Sequence, residues 1–112
     1  MNKVYAIQQP VSRNRISPGT VSAFDFSAAE KYGEVIVLVP NGRGILTPDL
    51  LIKHLEEQLV DFDPVYDYVI PVGDYAICFL VGMMLSKTGF IRILRWIPEA
   101  QSYQPLSLDI RG

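Results

Sequence analysis

The feature that most constrains the fold of this chain is an uninterrupted apolar run, Val35–Val39, in which all residues but Leu38 are β-branched. Such a run is typical of a strand, and a strand without polar alternation has to be covered on both faces. An amphipathic segment follows it, with Leu51, Leu55 and Leu59 at four-residue spacing and polar residues between them. The pattern predicts an α/β domain in which helices pack on a parallel sheet.

Capping signals predict where two helices begin. Thr47 can accept a hydrogen bond from a free amide, and Pro48 suits the first helical position, so a helix is expected from there to Val60. Asp74 is expected to cap a second helix that runs from Tyr75 to about Lys87 and is closed by Gly89.

The remaining apolar runs predict further strands. Tyr68–Val72 is one, and Pro71 suggests that it lies near an edge or a bulge, because proline lacks an amide donor. Ile91–Trp96 is expected to be parallel to it, and Pro105–Ile110 to pair with Ile91–Trp96 in an antiparallel hairpin. The predicted fold is a small two- or three-layer α/β domain with a βαβαβ parallel core and a C-terminal hairpin. Val4–Ile7 is a short candidate strand outside that core.

Length and composition favour one globular domain over residues 1–112. The chain is 49% hydrophobic and 20% charged, which is ordinary for such a domain. Residues 11–31 show no clear period, and we interpret them as a long loop or partly helical segment, with any helical turn at Ser27–Lys31. Long loops in small domains are often functional or mobile.

Charge and reactive side chains exclude several classes of protein. The formal net charge of −2 argues against general nucleic-acid binding as a function. Cys78, the single cysteine, is expected to be a small buried hydrophobe, and His54 a surface residue. We interpret the acidic cluster Asp61, Asp63 and Asp67 as a solvated turn. No catalytic residue, metal ligand or cofactor is assigned, so the sequence favours a non-enzyme.

Nothing in the sequence predicts membrane insertion. The longest apolar stretch, Tyr75–Leu85, is too short for a bilayer, which needs about 20 residues. The N-terminus lacks the features of a signal peptide. We therefore expect a cytoplasmic protein with no membrane contact.

Two loops are candidates for binding a small ligand or nucleotide, because ligands of parallel sheets bind beyond the carboxyl ends of the strands. The candidate residues are Asn41, Gly42, Arg43, Gly44, Gly73, Asp74 and Tyr75. Arg43 could meet a phosphate, but neither loop matches a nucleotide-binding motif. Turn formation and helix capping explain both loops without a ligand.

A third interpretation is binding of single-stranded nucleic acid. Arg92, Arg95 and Trp96 could supply cations and a stacking surface for bases. Arginines on a half-covered strand are the simpler explanation.

The second predicted helix is apolar around almost its whole circumference, so its side chains cannot all point inward. Either the 11–31 segment or a second copy of the chain should cover its outer face. We favour a homodimer, since twofold dimers are the commonest soluble oligomers. The candidate self-association residues are Ile77, Leu80, Val81 and Met84, and Gly82 would let two helices approach closely.

Four segments together resemble a known group. Gly33–Pro40, Asp67–Asp74, Ile93–Trp96 and Tyr103–Ile110 are similar to those of short, uncharacterised proteins encoded by bacteriophages and prophages. The resemblance covers about Val35 to Ile110, and the 11–31 segment departs from it. It implies a viral or mobile-element origin and action inside a bacterial host. The leading hypothesis is thus a non-enzymatic accessory protein that acts through protein contacts, either with itself or with a host or phage protein.

Overall fold

The computed structural model describes residues 2–9, 11–12, 22–23, 26–39 and 47–111. The elements in chain order are strands β1 (Lys3–Gln8), β2 (Val11–Ser12) and β3 (Ser22–Ala23), a 3-10 helix (Ser27–Tyr32), strand β4 (Glu34–Val39), helix α1 (Pro48–Gln58), strand β5 (Tyr68–Ile70), helix α2 (Tyr75–Leu85), a 3-10 turn (Ser86–Thr88), and strands β6 (Phe90–Ile97) and β7 (Ser102–Asp109).

The main sheet has the strand order β4-β1-β5-β6-β7. Its first four strands are parallel, and β7 is antiparallel to β6, so the predicted α/β class with a parallel core and a C-terminal hairpin is confirmed. The position of β1 inside the sheet, between β4 and β5, was not predicted. Val4–Ile7 is buried because β4 and β5 flank it and both sheet faces are covered.

The prediction that Pro71 places its strand near an edge is wrong. β5 lies inside the sheet between β1 and β6, and it ends at Ile70. Pro71 comes directly after the ladder, where its missing amide costs no strand hydrogen bond.

Each face of the sheet supports its own apolar core. Tyr5 and Ile7 of β1 point toward α1 and α2, where they pack with Leu55 and Val81. The alternate residues of β1 point to the other face, which the 3-10 helix covers. The 3-10 helix lies on one face and the two α-helices lie on the other. The chain passes from β1 outward to β4 and then back across to β5, so the strand order reverses between β1 and β5.

The predicted helix caps are confirmed. The Thr47 hydroxyl accepts from the Leu50 amide at 3.3 Å, and the Asp74 carboxylate accepts from the Ala76 amide at 2.8 Å. Gly89 adopts a left-handed conformation, with φ of 67°, after the 3-10 turn that extends α2. Helix α1 ends at Gln58, slightly before the predicted end.

The acidic cluster contains one structural residue, so its interpretation as a solvated turn is wrong for Asp67. That side chain is 3% exposed, and its two oxygens accept from the amides of Lys3 at 2.9 Å and Asp63 at 2.8 Å. Asp67 thereby joins the beginning of β1 to the turn that precedes β5. Asp61, by contrast, is exposed.

The 3-10 helix of the 11–31 segment does not cover α2. β2 pairs with β3, and the predicted turn at Ser27–Lys31 forms the 3-10 helix. Phe26 and Ala29 pack on the sheet face opposite α2. Residues 13–21 and 24–25 lie outside the described part of the chain.

Candidate functional site

The crossover point of the sheet brings Gln8 against the beginning of α2. The Gln8 side-chain oxygen accepts from the Asp74 amide at 2.8 Å. Gly73, with φ of 111°, approaches so closely that a Cβ atom there would lie 2.5 Å from the Gln8 Cβ. The amides of Asp74 and Ala76 are thus both bound to side chains of the chain itself, which leaves them less available to an anionic ligand.

The sequence singled out Gly73, Asp74 and Tyr75 at this point but missed Gln8. A signal existed, because Gln8 directly follows a buried apolar run, but β1 had no place in the predicted sheet. Tyr75 is exposed beside this contact. The other predicted ligand loop, Asn41, Gly42, Arg43 and Gly44, lies outside the described residues.

The three candidate nucleic-acid residues do not share one surface. Arg92 and Trp96 point to one face of β6 and Arg95 to the other, as strand alternation requires. Arg92 stacks on the Tyr68 ring at 4.0 Å from its centroid and donates to the Tyr68 hydroxyl and the Val65 carbonyl. It is therefore engaged within the fold. Arg95 donates to Gln104 at 3.0 Å, and Trp96 packs edge-to-face on Tyr103.

Cys78 is half-buried, where a fully buried residue was expected. Burial, reinforced by the charge of Asp74, raises the pKa of its thiol. A raised pKa disfavours the thiolate, which is the nucleophilic form of the side chain.

His54 has a partner that the sequence could not reveal. Its Nε2 lies 2.7 Å from the Leu38 carbonyl oxygen, and since a carbonyl only accepts, Nε2 is the donor. The β1–β4 register omits the pair Ile7–Leu38 and resumes at Gln8–Val39. His54 thus binds a strand carbonyl where the ladder is interrupted, which makes it a structural residue.

One face of α2 carries an exposed apolar stripe. Tyr75, Phe79 and Met83 are 85%, 74% and 71% exposed, and they recur every four residues. The outer stripe, as we define it, consists of Tyr75, Cys78, Phe79, Gly82, Met83 and Ser86. Together with Pro71 and Gly73 these residues line a shallow groove of about 630 Å³. None of the six stripe residues carries a charged side chain, so the surface is suited to an apolar contact.

The residues that the sequence proposed for self-association lie on the opposite side of this helix. Ile77 and Val81 are 5% and 1% exposed in the core, and Leu80 and Met84 are partly buried against it. The proposed contact residues therefore need correction. In a helix that is apolar all round, the sequence does not reveal which stripe faces the sheet.

The groove continues past Gly82 toward the end of β7. Gly82 and Ser86 also line a smaller cavity of about 200 Å³ that Leu108 and Ile110 border. Both of these side chains are exposed. The apolar surface thus extends from the beginning of α2 to the C-terminal strand.

Within the described part of the chain, no group of three or more His, Cys, Asp and Glu residues is placed to hold a metal ion. No helix there is long and apolar enough to span a membrane.

Comparison with known protein families places the chain in one of them. No curated protein and no solved structure is significantly similar to the chain. The profile of the family described as Phage Pam3 gp32-like protein matches residues 2–110, nearly the whole chain. The match confirms the phage resemblance carried by the strand segments and extends it over the 11–31 segment. The chain belongs to the Phage Pam3 gp32-like protein family.

Proposed function

We propose that this phage protein is a non-enzymatic accessory protein that acts through protein contacts in the host cytoplasm. Its contact surface is the outer stripe of α2, and the partner that binds there is a second copy of the same chain. The observation that carries this proposal is the exposure of Tyr75, Phe79 and Met83 on one helix face. Contiguous apolar surface of this kind marks interaction sites on soluble proteins.

The physical gain from covering the stripe is considerable. Burying one large apolar side chain stabilises a complex by roughly 1.5–3 kcal/mol before the cost of association. Because the stripe has no charged side chain, a second copy brings no like charge against it. In a twofold homodimer, the same surface of each copy is buried against the other copy.

The test is the solution mass of three proteins by light scattering at micromolar concentration. The wild-type chain should have about twice the monomer mass of 12.6 kDa. Phe79→Asp places a charge on the exposed stripe and should give a folded monomer. The matched control, Leu50→Asp, puts the same charge at an exposed apolar position of α1 and should leave the dimer intact.

A wild-type mass near 12.6 kDa at every concentration would reject the homodimer. A dimer that survives Phe79→Asp would reject the stripe as its surface. Circular dichroism of each variant establishes that a change in mass reflects association and not unfolding.

Small-ligand binding at the Gly73–Tyr75 loop is the alternative, and the occupied amides of Asp74 and Ala76 give it less support. A thermal-shift screen with nucleotides tests it. Reproducible stabilisation by one nucleotide below millimolar concentration would favour this alternative.

A further inference from the structure

We propose that Pro105 and the Tyr32 hydroxyl protect the outer edge of β7 from strand addition by a second copy of the chain. This inference concerns a surface other than the outer stripe of α2 and does not depend on the proposed function. It follows from the direction of the backbone groups of β7 and from the two residues that interrupt their edge.

β7 is the last strand on one side of the sheet in the part of the chain that the structure describes. It has eight residues and pairs with β6 along its whole length. An edge strand presents amides and carbonyls that another strand can bind, and natural proteins usually block such edges. An edge of this length is therefore a template for pairing unless something interrupts it.

A hydrogen bond next to the hairpin ladder establishes which residues of β7 face outward. The Ile110 amide donates to the Gly89 carbonyl at 2.8 Å, and these two residues continue the β6–β7 register by one step. In an antiparallel ladder, residues that bond to the neighbouring strand alternate with residues that face away from it. Ile110 and the even-numbered residues of β7 therefore face β6. The backbone groups of Tyr103, Pro105 and Ser107 point to the outer edge.

Two consecutive outward positions are unsuited to pairing. Pro105 has no amide hydrogen, so the edge lacks a donor in the middle of the strand. At an outward position, the missing amide costs β7 no hydrogen bond to β6. The Tyr103 carbonyl accepts from the Tyr32 hydroxyl at 3.3 Å, so a side chain of the 3-10 helix occupies it. An incoming strand would find no donor at Pro105 and would have to displace the Tyr32 hydroxyl.

The protection bears on how the protein can assemble. A protein that associates through two separate surfaces can grow into an open-ended assembly, whereas one twofold surface gives a closed dimer. Blocking the edge of β7 removes one route to such growth.

Hydrogen exchange measures the direction of the amides in the wild-type chain. The amides of Leu106 and Leu108 face β6 and should be protected from exchange. The Ser107 amide faces the outer edge and should exchange roughly tenfold faster or more, after correction for intrinsic rates. Equal protection of the three amides would overturn the assigned direction of the backbone and the proposal with it.

The direct test removes both obstacles in the Phe79→Asp background, in which the outer stripe carries a charge. Pro105→Thr restores an amide at the outer edge. Tyr32→Phe removes the donor to the Tyr103 carbonyl but keeps the ring that packs on Tyr68. The mass of this triple variant by light scattering should rise with concentration toward about twice that of Phe79→Asp, because antiparallel pairing of two identical edges closes into a dimer. Without Tyr32→Phe, the rise should be smaller.

Ser107→Thr is the matched control, because it adds the same β-branched side chain at an outward position that already has an amide. Combined with Tyr32→Phe and Phe79→Asp, it should keep the mass of Phe79→Asp. The proposal is overturned if the Pro105→Thr triple variant is folded by circular dichroism and keeps that mass at every concentration, or if the control associates equally. If the triple variant does not fold, Pro105→Thr with Phe79→Asp alone decides by the same criterion.

Discussion

Helices α1 and α2 are alike in length and setting but differ in the surface that they turn to solvent. Both have 11 residues, both begin at a capping side chain, and both pack on the same sheet face. Most of the exposed residues of α1 are polar, as in Lys53 and Glu56. Those of α2 include Phe79 and Met83.

The difference separates the apolar residues that the fold of a single chain buries from those that it leaves exposed. The stripe Leu51–Leu55–Leu59 is buried, and the rest of α1 is suited to water. In α2, Ile77 and Val81 fill the core, whereas Tyr75, Phe79 and Met83 of the outer stripe are exposed. That surplus is the reason to assign the outer stripe to a partner.

The largest expected effect lies in the core beneath α1. Leu55 is fully buried, so Leu55→Ala should lower the free energy of unfolding by about 2–5 kcal/mol. Urea denaturation measures it, with exposed Glu57→Ala as the control, for which the change should stay within about 0.5 kcal/mol. An unchanged midpoint for Leu55→Ala would mean that α1 does not pack as described.

A cap substitution should have an intermediate effect. Thr47→Ala removes the acceptor of the Leu50 amide and should cost roughly 0.5–2 kcal/mol in the same assay. Thr47→Ser keeps the hydroxyl, so most of the stability should return. If the two variants were equally destabilised, the hydroxyl would not be the stabilising group.

In contrast to Leu55 and Thr47, the exposed Phe79 of the outer stripe should contribute little to the stability of the monomer. Phe79→Ser should change the stability of the dilute monomer by no more than about 0.5 kcal/mol, because the side chain is exposed there. At high concentration the same variant should lose the extra stability that association gives to the wild-type chain. A large loss of stability in dilute solution would place Phe79 in the core and remove the contrast between the helices.

The smallest effect concerns Cys78. Its raised pKa leaves less thiolate at pH 8, so alkylation should be slower than that of a free model thiol. If a second copy covers the outer stripe, as proposed, the rate should fall further as protein concentration rises. In Phe79→Asp the rate should not depend on concentration, and a concentration dependence there would implicate another surface.

Local signals predicted the local structure well. Thr47, Asp74 and Gly89 marked helix ends by chemistry that acts within a few residues, and the structure confirms all three. The apolar run Val35–Val39 correctly indicated a parallel sheet covered on both faces.

Contacts between residues far apart along the chain could not be predicted from the sequence. The position of β1 inside the sheet depends on two strands far along the chain, β4 and β5, and no local pattern encodes sheet order. Asp67 and His54 bind backbone groups of distant strands, so their residue types gave no sign of a structural role. The outer stripe was missed because the all-round hydrophobicity of α2 hides its orientation.

Two adjacent methionines provide the most direct test of the central claim, that the outer stripe of α2 is the contact surface. Met83 lies in the stripe, whereas Met84 packs partly buried against the core. With ¹³C-labelled methionine methyl groups, NMR spectra across a dilution series should show the Met83 signal moving with concentration and the Met84 signal moving much less. The claim would be contradicted if neither signal moved with concentration. It would also be contradicted if the Met84 signal moved as far as the Met83 signal.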